Sequence, residues 1–523
     1  MPVDVDVAIV GYGPGGEVLA SLLGQAGHRV VVFEKFPAPY GLPRMSTLDG
    51  EIARLLQHTG DADKALEGSI PQLYGNLYGA DGELAIRFDW SGELCGHASH
   101  LSLHQPNIEA AMQERIASLP TVDVRWGTEV TGVEDLGDSV RVTARTVAAG
   151  DDAPLEQQVV ASYVVGMDGA SSFVREAVGI PLEVLRQHDD RWFLTDFDIL
   201  DPTVQEPETD IHMVPEGPYY WGPNGAGRCR TDVRVMPGTD PAELMDDEHG
   251  YAWLEQNIGI PRDAVRITRR VLYRFRSQYA TSFRRGRVFI GGDAAHAMTP
   301  FMAQGSCSAM RDGANLAWKF NLVLSGRARP DLLDTYEPER LAHVVPLVHG
   351  SLAQWGLLTE EDPAKAAGRD AFLRSGQAQV PPMPTLTAGI LHRGADGELV
   401  PPAGALSPQG RVRIGNREGL LDDLVGFGFQ LVSSAPLEDV LTEGQRAALA
   451  AIGAKVLVLG EGEGQVADLE GTYARFFAEH GATAFISRPD FYLFGTADGP
   501  QATGALVDEL LGQLSLITER VPA

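Results

Sequence analysis

A glycine-rich segment near the start of the chain has the residue types and spacing that bind a pyrophosphate. Residues 3–10 alternate and then turn wholly apolar, as an inner parallel strand does. The motif GYGPGG follows at once, at residues 11–16. Gly11 permits a tight turn, Gly13 lets the backbone approach a pyrophosphate, and Gly16 lets the following helix pack on the strand.

An acidic residue stands where a dinucleotide-binding fold places its ribose ligand. A helix is predicted at residues 17–25 and a second strand at residues 29–33, and Glu34 ends this strand. Its distance from Gly11 is close to the ~20 residues typical of the acidic residue that binds an adenosine ribose. Because a carboxylate there repels a 2′-phosphate, the pattern favours FAD or NAD over NADP.

A second stretch, residues 287–320, places another carboxylate before the start of a helix. Residues 287–290 form a short, mainly apolar run that predicts a buried strand. Asp293 follows the end of this strand, where it can accept hydrogen bonds from sugar or ribitol hydroxyls. Pro300 and Gly305 mark the loop that comes next.

A helix is predicted to follow this loop and to end at Gly326. Ser306 or Ser308 is expected to cap its N-terminus with a side-chain oxygen. A helix N-terminus after a glycine-containing loop favours negative charge. A reduced flavin presents such charge at N1 and O2, so the stretch predicts a flavin site.

The residues around Asp293 resemble the second flavin motif of the FAD-dependent aromatic hydroxylases, single-component flavoprotein monooxygenases that act on phenols. The resemblance is carried by Gly292-Asp293-Ala294-Ala295-His296, Pro300, Gln304-Gly305 and Asp312-x-x-Asn315-Leu316-Ala317-Trp318-Lys319. The family usually has glycine at the positions of Ala303 and Ala309, and often asparagine at that of Cys307. This second motif selects FAD over NAD as the expected dinucleotide.

Three further segments resemble the cofactor contacts of that family. Arg44 stands where similar enzymes hold an arginine over the FAD phosphates, although a solvated surface arginine is the alternative. Gln105 opens a Q-P-x-x-E element whose glutamine reaches the flavin or its ribityl chain. Asp168 opens an Asp-Gly pair that contacts FAD and the passing nicotinamide cofactor, and it can also cap a helix.

The resemblance thus implies one cofactor site built from distant parts of the chain. We predict that FAD is bound by Gly11, Gly13, Pro14, Gly15, Gly16, Glu34, Lys35, Arg44, Gln105, Asp168, Gly292, Asp293, Pro300, Gly305, Ser306, Cys307 and Ser308. Cys307 is expected to be a small packing residue rather than a nucleophile. NADH or NADPH is expected as co-substrate, and no metal is predicted.

The residues between 179 and 277 change to short alternating segments that predict an antiparallel sheet over a substrate pocket. The last segment, 266–276, has apolar residues on one face and arginines on the other. A half-buried strand with a solvated basic face is the first interpretation. A surface that attracts the anionic nicotinamide cofactor is the second.

Three histidines, His97, His100 and His104, have a spacing that suits either a metal-binding helix face or a strand. The alternation of serine and leucine between them favours a strand. His100 and His104 then share one face while His97 lies on the other, which argues against a metal site. A helix is predicted next, at residues 107–119, with Pro106 at its start.

A smaller α/β unit is predicted at the C-terminal end. Residues 362–384, rich in Ala, Pro and Gly, predict a linker. Residues 488–495 resemble the closing hairpin of the thioredoxin-like C-terminal domain of phenol-hydroxylase-type members. No cysteine follows Cys307, so the resemblance implies a structural or oligomerisation role rather than dithiol chemistry. Strands are expected at 427–432, 455–459 and 484–487, and helices at 443–452 and 505–514.

The expected fold class combines α/β with α+β. A Rossmann-like FAD-binding domain is predicted over residues 1–74, 99–178 and 277–355, and an antiparallel-sheet substrate domain over 75–98 and 179–276. A thioredoxin-like domain is predicted over 385–523. A helix at 331–351 is expected to end the FAD-binding domain.

The resemblance, which is closest to the 3-(3-hydroxyphenyl)propionate hydroxylases, implies hydroxylation of a phenol with NADH or NADPH and O2 through a flavin C4a-hydroperoxide. Pro300 and Phe301 would lie beside the flavin C4a. No motif identifies the base that deprotonates the phenol, and the candidates are His100, His104, His212, Tyr219 and Tyr279.

Three other functions stay open. The chain could be a natural-product tailoring oxygenase of the same family that acts on a larger polycyclic aromatic, such as a polyketide. A flavin-dependent halogenase would need a W-x-W-x-I-P element, and the sequence has no such tryptophan pair. A non-catalytic FAD-binding protein is the third alternative.

Charge and composition limit the partners. The 523 residues carry a formal net charge of −29, which argues against nucleic acid or an anionic membrane. Three scattered cysteines fit a reducing cytosol, and no uncharged apolar run reaches the ~18 residues that span a bilayer. We therefore expect a cytoplasmic protein whose partners are a small aromatic substrate and O2, with a homodimer as one option.

The first prediction is that the purified protein is yellow and releases FAD when it is denatured, because Gly11, Glu34 and Asp293 stand where non-covalent contacts are expected. Chromatography of the released chromophore tests this. Release of FMN, or no flavin even after reconstitution, would contradict it.

Overall fold

Two eight-stranded sheets dominate the structure, a computed structural model that describes residues 2–147, 155–379 and 381–516. In the first sheet Val5–Val10 lies parallel to both of its neighbours. Its last four residues are buried, as the wholly apolar sequence predicts for an inner parallel strand. The strands follow the spatial order Val122–Arg125, Val30–Phe33, Val5–Val10, Glu156–Gly166, Val140–Thr146 and Thr128–Asp135, with Val288–Ile290 beside Glu156–Gly166 and Arg284–Arg285 beside Val288–Ile290.

The second sheet is largely antiparallel, as the alternating segments predict. We call the face that carries Trp192 the inner face, because the Trp192 ring lies 5.0 Å from that of Phe301, which follows the last strand of the first sheet. The opposite, outer face carries Phe193, since successive residues of a strand point to opposite sides. The strand order is His296–Ala297, Val265–Ala280, Leu182–Ile199, Arg228–Val235, Tyr219–Pro223, Thr209–His212, Tyr74–Tyr78 and Leu84–Asp89.

Helices cover the first sheet and join the sheets. Among the described residues no helix has both the length and the apolar composition needed to cross a bilayer. The α-helices are Pro14–Gln25, Gly50–Thr59, Ala62–Ala65, Gln105–Ala117, Phe173–Ala177, Pro241–Leu244, Asp247–Asn257, Gln304–Leu324, Tyr336–Leu358, Pro363–Arg374, Leu421–Val425, Glu443–Ala451, Thr472–His480 and Pro500–Gln513. The 3-10 helices are Arg262–Ala264, Gly292–Ala294, Pro300–Met302 and Pro330–Thr335. Three small sheets complete the framework: Thr47–Asp49 with His100–Ser102 and Ile70–Pro71, Glu93–Leu94 with His97–Ala98, and Arg417–Leu420 with Arg411–Ile414 and Val466–Asp468.

Two predicted boundaries are wrong. The segment predicted as a linker, 362–384, contains the helix Pro363–Arg374, whose first N–H groups donate to the Asp362 carboxylate. Alanine is the best helix former, so its abundance there fits a helix as well as a linker. The helix predicted at 331–351 runs instead over Tyr336–Leu358, after a 3-10 turn.

The C-terminal unit is built on a four-stranded sheet. Its spatial order is Lys455–Val458, Gln430–Ser433, Ala484–Ser487 and Leu493–Ala497. The first two strands are parallel and the other neighbours antiparallel. One helix follows each of the first two strands in the chain, and the third follows the closing hairpin, which the sequence predicts at 488–495.

Buried ion pairs attach this unit to the helices of the first sheet. The Arg54 guanidinium lies 2.7 Å from the Asp422 carboxylate, and the His58 imidazole lies 3.3 Å from it, with all three side chains almost fully buried. Burial raises the pKa of Asp422, but the charge of Arg54 and the hydrogen bond from His58 outweigh it and lower that pKa. The interface therefore depends on an ionised carboxylate.

A second set of buried charges joins the unit to the two long helices. Arg488 lies 2.6 Å from Glu339 and 2.7 Å from Asp490. Lys319, on the helix Gln304–Leu324, lies 2.8 Å from the same Glu339 carboxylate. The closing hairpin thus supplies Arg488, which together with Lys319 balances the buried charge of Glu339.

The interface yields a stability prediction. Asp422→Ala leaves the Arg54 charge buried without its partner, and we expect it to lower the free energy of unfolding by about 3 to 5 kcal/mol. The neighbouring Asp423 is exposed, so Asp423→Ala is the matched control and should change that energy by less than about 0.5 kcal/mol. Urea denaturation of the FAD-bound protein measures both; equal effects would contradict the prediction.

Candidate functional site

A cavity of about 710 Å³ lies where the two sequence motifs meet. Thirteen of the seventeen residues predicted to bind the cofactor line it: Gly11, Gly13, Pro14, Gly15, Gly16, Glu34, Lys35, Arg44, Gln105, Asp168, Gly292, Asp293 and Ser306. The other four, Pro300, Gly305, Cys307 and Ser308, are not among its lining residues. Sequence reasoning missed Tyr12 and Trp126, whose rings meet edge to face 5.2 Å apart in the cavity wall, because neither belongs to a glycine or acidic motif.

The glycine loop is shaped for close approach of an anion. Gly11 has a φ of +99°, and a Cβ there would lie 2.3 Å from the Met167 carbonyl oxygen. A Cβ on Gly13 would meet nothing within 4 Å, so the backbone is open at that point. Gly13 precedes the helix Pro14–Gln25, whose N-terminus has no side-chain cap. Uncapped N–H groups and the helix dipole favour a phosphate there.

Glu34 ties the second strand to the glycine loop. Its carboxylate accepts hydrogen bonds from the Tyr12 N–H at 3.0 Å and the Phe36 N–H at 2.9 Å. These two bonds fix the carboxylate at the cavity wall. The position suits an acceptor for ribose hydroxyls.

Gln105 holds the segment that carries Arg44. The Gln105 side-chain oxygen accepts from the Arg44 N–H at 2.7 Å and the Met45 N–H at 2.6 Å, and its amide donates to Glu109 at 2.6 Å. Most of its hydrogen-bonding capacity is therefore used inside the protein. The Arg44 side chain is exposed toward the cavity and lies over the Tyr40 ring, 4.2 Å from its centroid.

Asp293 faces the cavity from the end of the strand Val288–Ile290. Its side chain is exposed on the cavity side, but the surrounding protein is dense enough that burial raises its pKa, against the charges of His296 and Arg44, which lower it. A carboxylate that opens into the cavity from a fixed loop can accept hydrogen bonds from hydroxyl donors.

Asp168 supports the start of the helix Phe173–Ala177 but is not the N-cap that the sequence predicts; the N-cap is Ser172, whose side chain accepts from the Arg175 N–H. Asp168 accepts from the Ser172 hydroxyl at 2.5 Å and from the Val174 N–H at 3.0 Å. It also lines the cavity, beside Gly169. Burial raises the pKa of Asp168, while these hydrogen bonds lower it.

The predicted caps of the long helix are wrong. The helix begins at Gln304, and its N-cap residue is Ala303, which has φ +54° and makes no side-chain cap. Ser306 lines the cavity, whereas Ser308 is fully buried. The Cys307 thiol is buried and donates to the Ala303 carbonyl at 3.4 Å, and burial raises its pKa, which fits the predicted packing role.

A buried ion cluster that no motif indicated holds the first turns of this helix. Arg311 lies 2.5 Å from Asp49 and 2.7 Å from Glu51, and it donates to the Gln304 side-chain oxygen at 2.8 Å. Burial raises the pKa of both carboxyls. The charge of Arg311 outweighs it at Asp49, whose pKa falls, but not at Glu51, whose pKa rises.

A second buried ion cluster, around Asp312 of the same helix, holds the loop that carries Asp293. Asp312 accepts from the Gly292 N–H at 2.8 Å, and it lies 2.7 Å from His296 and 2.6 Å from Arg340. Burial alone would raise the pKa of Asp312, but the charges of His296 and Arg340 lower it to about 2. Asp312 therefore stays ionised and fixes the loop.

The predicted catalytic residues separate into two groups. The Phe301 ring lies 5.0 Å from Trp192 and 5.7 Å from Phe275, so it faces the inner face of the second sheet, next to the exposed Pro300. Tyr219 pairs with Val233 on the outer face and stacks on His212, 4.3 Å away. The second sheet therefore separates Tyr219 and His212 from Phe301, and their assignment as bases stays a prediction that this geometry does not favour.

His100 and His104 lie elsewhere as well. The His100 ring stacks on Trp90 at 4.5 Å and burial lowers its pKa. His104 precedes the helix Gln105–Ala117, where burial also lowers its pKa. Neither histidine lines the cavity, and their assignment as the base stays a prediction.

The fold and the site together define a flavoprotein monooxygenase. The parallel sheet carries the nucleotide site with Glu34 and Asp293, and the antiparallel sheet follows next to it. The chain belongs to the family of FAD-dependent aromatic hydroxylases. A family model described as FAD binding domain matches residues 4–351, and one described as HcaD C-terminal domain matches residues 404–513. The predicted family, the enzyme class and FAD as cofactor are thereby confirmed.

Named relatives and solved structures agree with this assignment. A probable NADH-specific resorcinol 4-hydroxylase of Rhodococcus jostii is 35% identical and is covered over 97% of its length by 99% of this chain. A 3-(3-hydroxy-phenyl)propionate/3-hydroxycinnamic acid hydroxylase of Comamonas testosteroni is 31% identical, covered over 76% by 83% of this chain. Crystal structures of aklavinone-11 hydroxylase with FAD and aklavinone (TM-score 0.78, 23% identity, 98% of this chain and 99% of that one) and of PieE with FAD and substrate (TM-score 0.79, 22% identity, 98% and 100%) share the fold.

Asp293 provides a test of the cavity as the flavin site. Asp293→Ala removes a charged acceptor from the cavity wall, and we expect it to weaken FAD affinity by ~1.5 to 3 kcal/mol. Asp293→Asn keeps one oxygen acceptor and should lose less. Titration of the apoprotein with FAD, followed by flavin fluorescence, measures both, and an unchanged affinity in the alanine variant would remove Asp293 from the site.

Proposed function

We propose that this protein uses NADH to hydroxylate a small phenol at a ring carbon. One observation carries the proposal: the GYGPGG loop, Glu34 and Asp293 line a single cavity, and Phe301, which follows Asp293 in the chain, packs on the inner face of the second sheet. NADH is favoured over NADPH because the relative of 35% identity is named as NADH-specific.

The cavity residues divide the dinucleotide among them. The N-terminus of the helix Pro14–Gln25 receives the pyrophosphate, and Glu34 accepts from the ribose hydroxyls. Asp293 accepts from the ribityl chain. Arg44, held at its backbone by Gln105, adds positive charge over the phosphates. Bound FAD supplies the transfer of one oxygen atom from O2 to the substrate.

Aromatic side chains enclose the substrate. Phe301, Trp192 and Phe275 form a contiguous wall between the second flavin motif and the inner face. Such a wall orients a flat ring and keeps water from the reacting atoms, which protects the oxygen-transfer step. Pro300 immediately precedes Phe301 and is exposed, so its backbone borders this aromatic wall.

The domain division follows the sheets. We infer that residues 1–74, 99–178 and 277–355 form the FAD-binding domain, because they contain every described strand of the first sheet. Most strands of the second sheet fall within 75–98 and 179–276. We infer that the C-terminal unit, predicted over residues 385–523, is a thioredoxin-like domain, because its described residues have the strand order, the strand directions and the three strand-following helices of such a domain, beside the short helix Leu421–Val425. A homodimer and a cytoplasmic location stay predictions from the sequence.

The proposed activity is tested by coupled oxidation of the nicotinamide. We expect NADH consumption to rise at least about tenfold when resorcinol is added, the equivalent of ~1.4 kcal/mol in barrier, with a product that gains one oxygen atom from ¹⁸O2. NADPH at the same concentration is the control and should react more slowly. Consumption that does not respond to any phenol would refute the proposal.

A further inference from the structure

One acid on the inner face of the second sheet has an oxygen without a partner. Asp232 Oδ1 is buried and has no hydrogen-bond partner among the described residues. Native proteins leave few buried acceptors in this state, and such an exception indicates a site for a water, an ion or a functional group that binds from outside. Asp232 is therefore a candidate for the base that deprotonates the phenol.

Asp232 faces the aromatic wall. It pairs with Leu194 on one side and Tyr220 on the other. Paired residues of antiparallel strands share a face, so Asp232 lies on the inner face, two residues along the sheet from Trp192. Tyr220, the cross-strand neighbour of Asp232, packs against the apolar cluster that contains Met213 and Leu358. Phe301 packs against the same cluster, so Asp232 and the loop that carries Phe301 border one region of the protein.

The cations around Asp232 are already bound to other groups. Arg230 donates to Asp196 at 2.7 Å and to the carbonyl oxygens of Arg44 and Pro43, both at 2.7 Å. Arg269 also donates to the Pro43 carbonyl and to the Tyr40 hydroxyl. Neither arginine donates to Asp232 Oδ1, which has no hydrogen-bond donor among the described residues.

The surrounding groups set its titration near neutral pH. Burial raises the pKa of Asp232 to about 6; the Arg230 charge lowers it, the Asp196 charge raises it and the Arg269 charge lowers it. Tyr220 faces it from the next strand, and burial raises the pKa of that phenol, so it stays neutral. A carboxylate with a pKa close to the working pH is suited to take a proton and return it.

We propose that Asp232 binds the hydroxyl of the phenol and acts as its base, and that its charge selects neutral phenols over phenols that carry a carboxylate. This rests on the proposed function. The proton moves from the phenol oxygen to Oδ1 while the O–H electron pair stays on oxygen, which makes the ring carbons more nucleophilic. After oxygen transfer the ring carbon loses its hydrogen as a proton to solvent, the C–H electron pair restores the aromatic ring, and Asp232 returns the first proton to the product oxygen.

The negative charge of Asp232 is the reason for the proposed preference for neutral phenols. A substrate carboxylate would bring a second anion into a poorly solvated space whose arginines are already paired, and like charges repel strongly there. A neutral hydroxyl supplies the donor that Oδ1 lacks. Of the two kinds of substrate that the named relatives suggest, the resorcinol type fits this wall and the phenylpropionate type does not.

The test uses the FAD-bound enzyme and the variants Asp232→Asn and Asp232→Glu. Asp232→Asn keeps an acceptor but cannot take a proton, so kcat with resorcinol should fall about 100-fold while resorcinol binding, measured by flavin absorbance, changes little. The wild-type kcat should decline below about pH 6, and the asparagine variant should lose that decline. Asp232→Glu should restore part of kcat and the pH dependence.

Asp210→Asn is the matched control, because Asp210 is a half-buried acid on the outer face of the same sheet, and it should behave as wild type. The wild type should prefer resorcinol to 3-(3-hydroxyphenyl)propionate, and Asp232→Asn should narrow that preference. Unchanged kcat and pH profile in Asp232→Asn, or a wild type that prefers the carboxylated phenol, overturns the inference alone. A wild type that responds to no phenol overturns the proposed function with it.

Discussion

The buried ion pairs of Arg311 are the interaction on which the rest of the site depends. Its guanidinium is almost fully buried between Asp49 and Glu51, so the ions give up most of their hydration and must be satisfied by one another. The same guanidinium holds Gln304, the first residue of the long helix. The position of that helix N-terminus, beside the cavity, therefore follows from charges that originate on a different helix. A substitution that removed Arg311 would leave two buried carboxyl groups, Asp49 and Glu51, without the cation between them.

Close backbone packing between the first helix and the long helix also positions the site. A Cβ on Gly15 would lie 2.7 Å from the Ala309 carbonyl oxygen, and one on Gly313 would lie 2.7 Å from the Gly15 carbonyl oxygen. The first helix and the long helix can therefore cross only because these positions lack side chains. The pyrophosphate loop and the second flavin motif meet at this crossing, which explains why residues so far apart in sequence line one cavity.

Local patterns predicted much of this arrangement, and long-range contacts account for most of what they missed. The strand Val5–Val10, the glycine loop and the Asp293 strand end each carry a signal within a few residues, because burial and tight turns constrain residue type locally. The start of the long helix was misplaced because Ala303 ends the loop through its backbone conformation, without a capping side chain. Asp232 and Arg311 gave no signal at all, since their meaning depends on partners that only the folded chain brings near. The face of Tyr219 likewise depends on strand register, which a lone tyrosine does not reveal.

The parallel pairing of Val5–Val10 with Glu156–Gly166, and of that strand with Val288–Ile290, also sets an order of events during synthesis. At ribosomal rates of about 5 to 20 residues per second, the glycine loop waits roughly 15 to 60 s for the Asp293 segment to emerge. The partner of the buried Glu339, Arg488, emerges later still. The nascent chain must therefore carry an incomplete nucleotide site and unpaired apolar strands for most of its translation, the state in which parallel sheets are most exposed to aggregation.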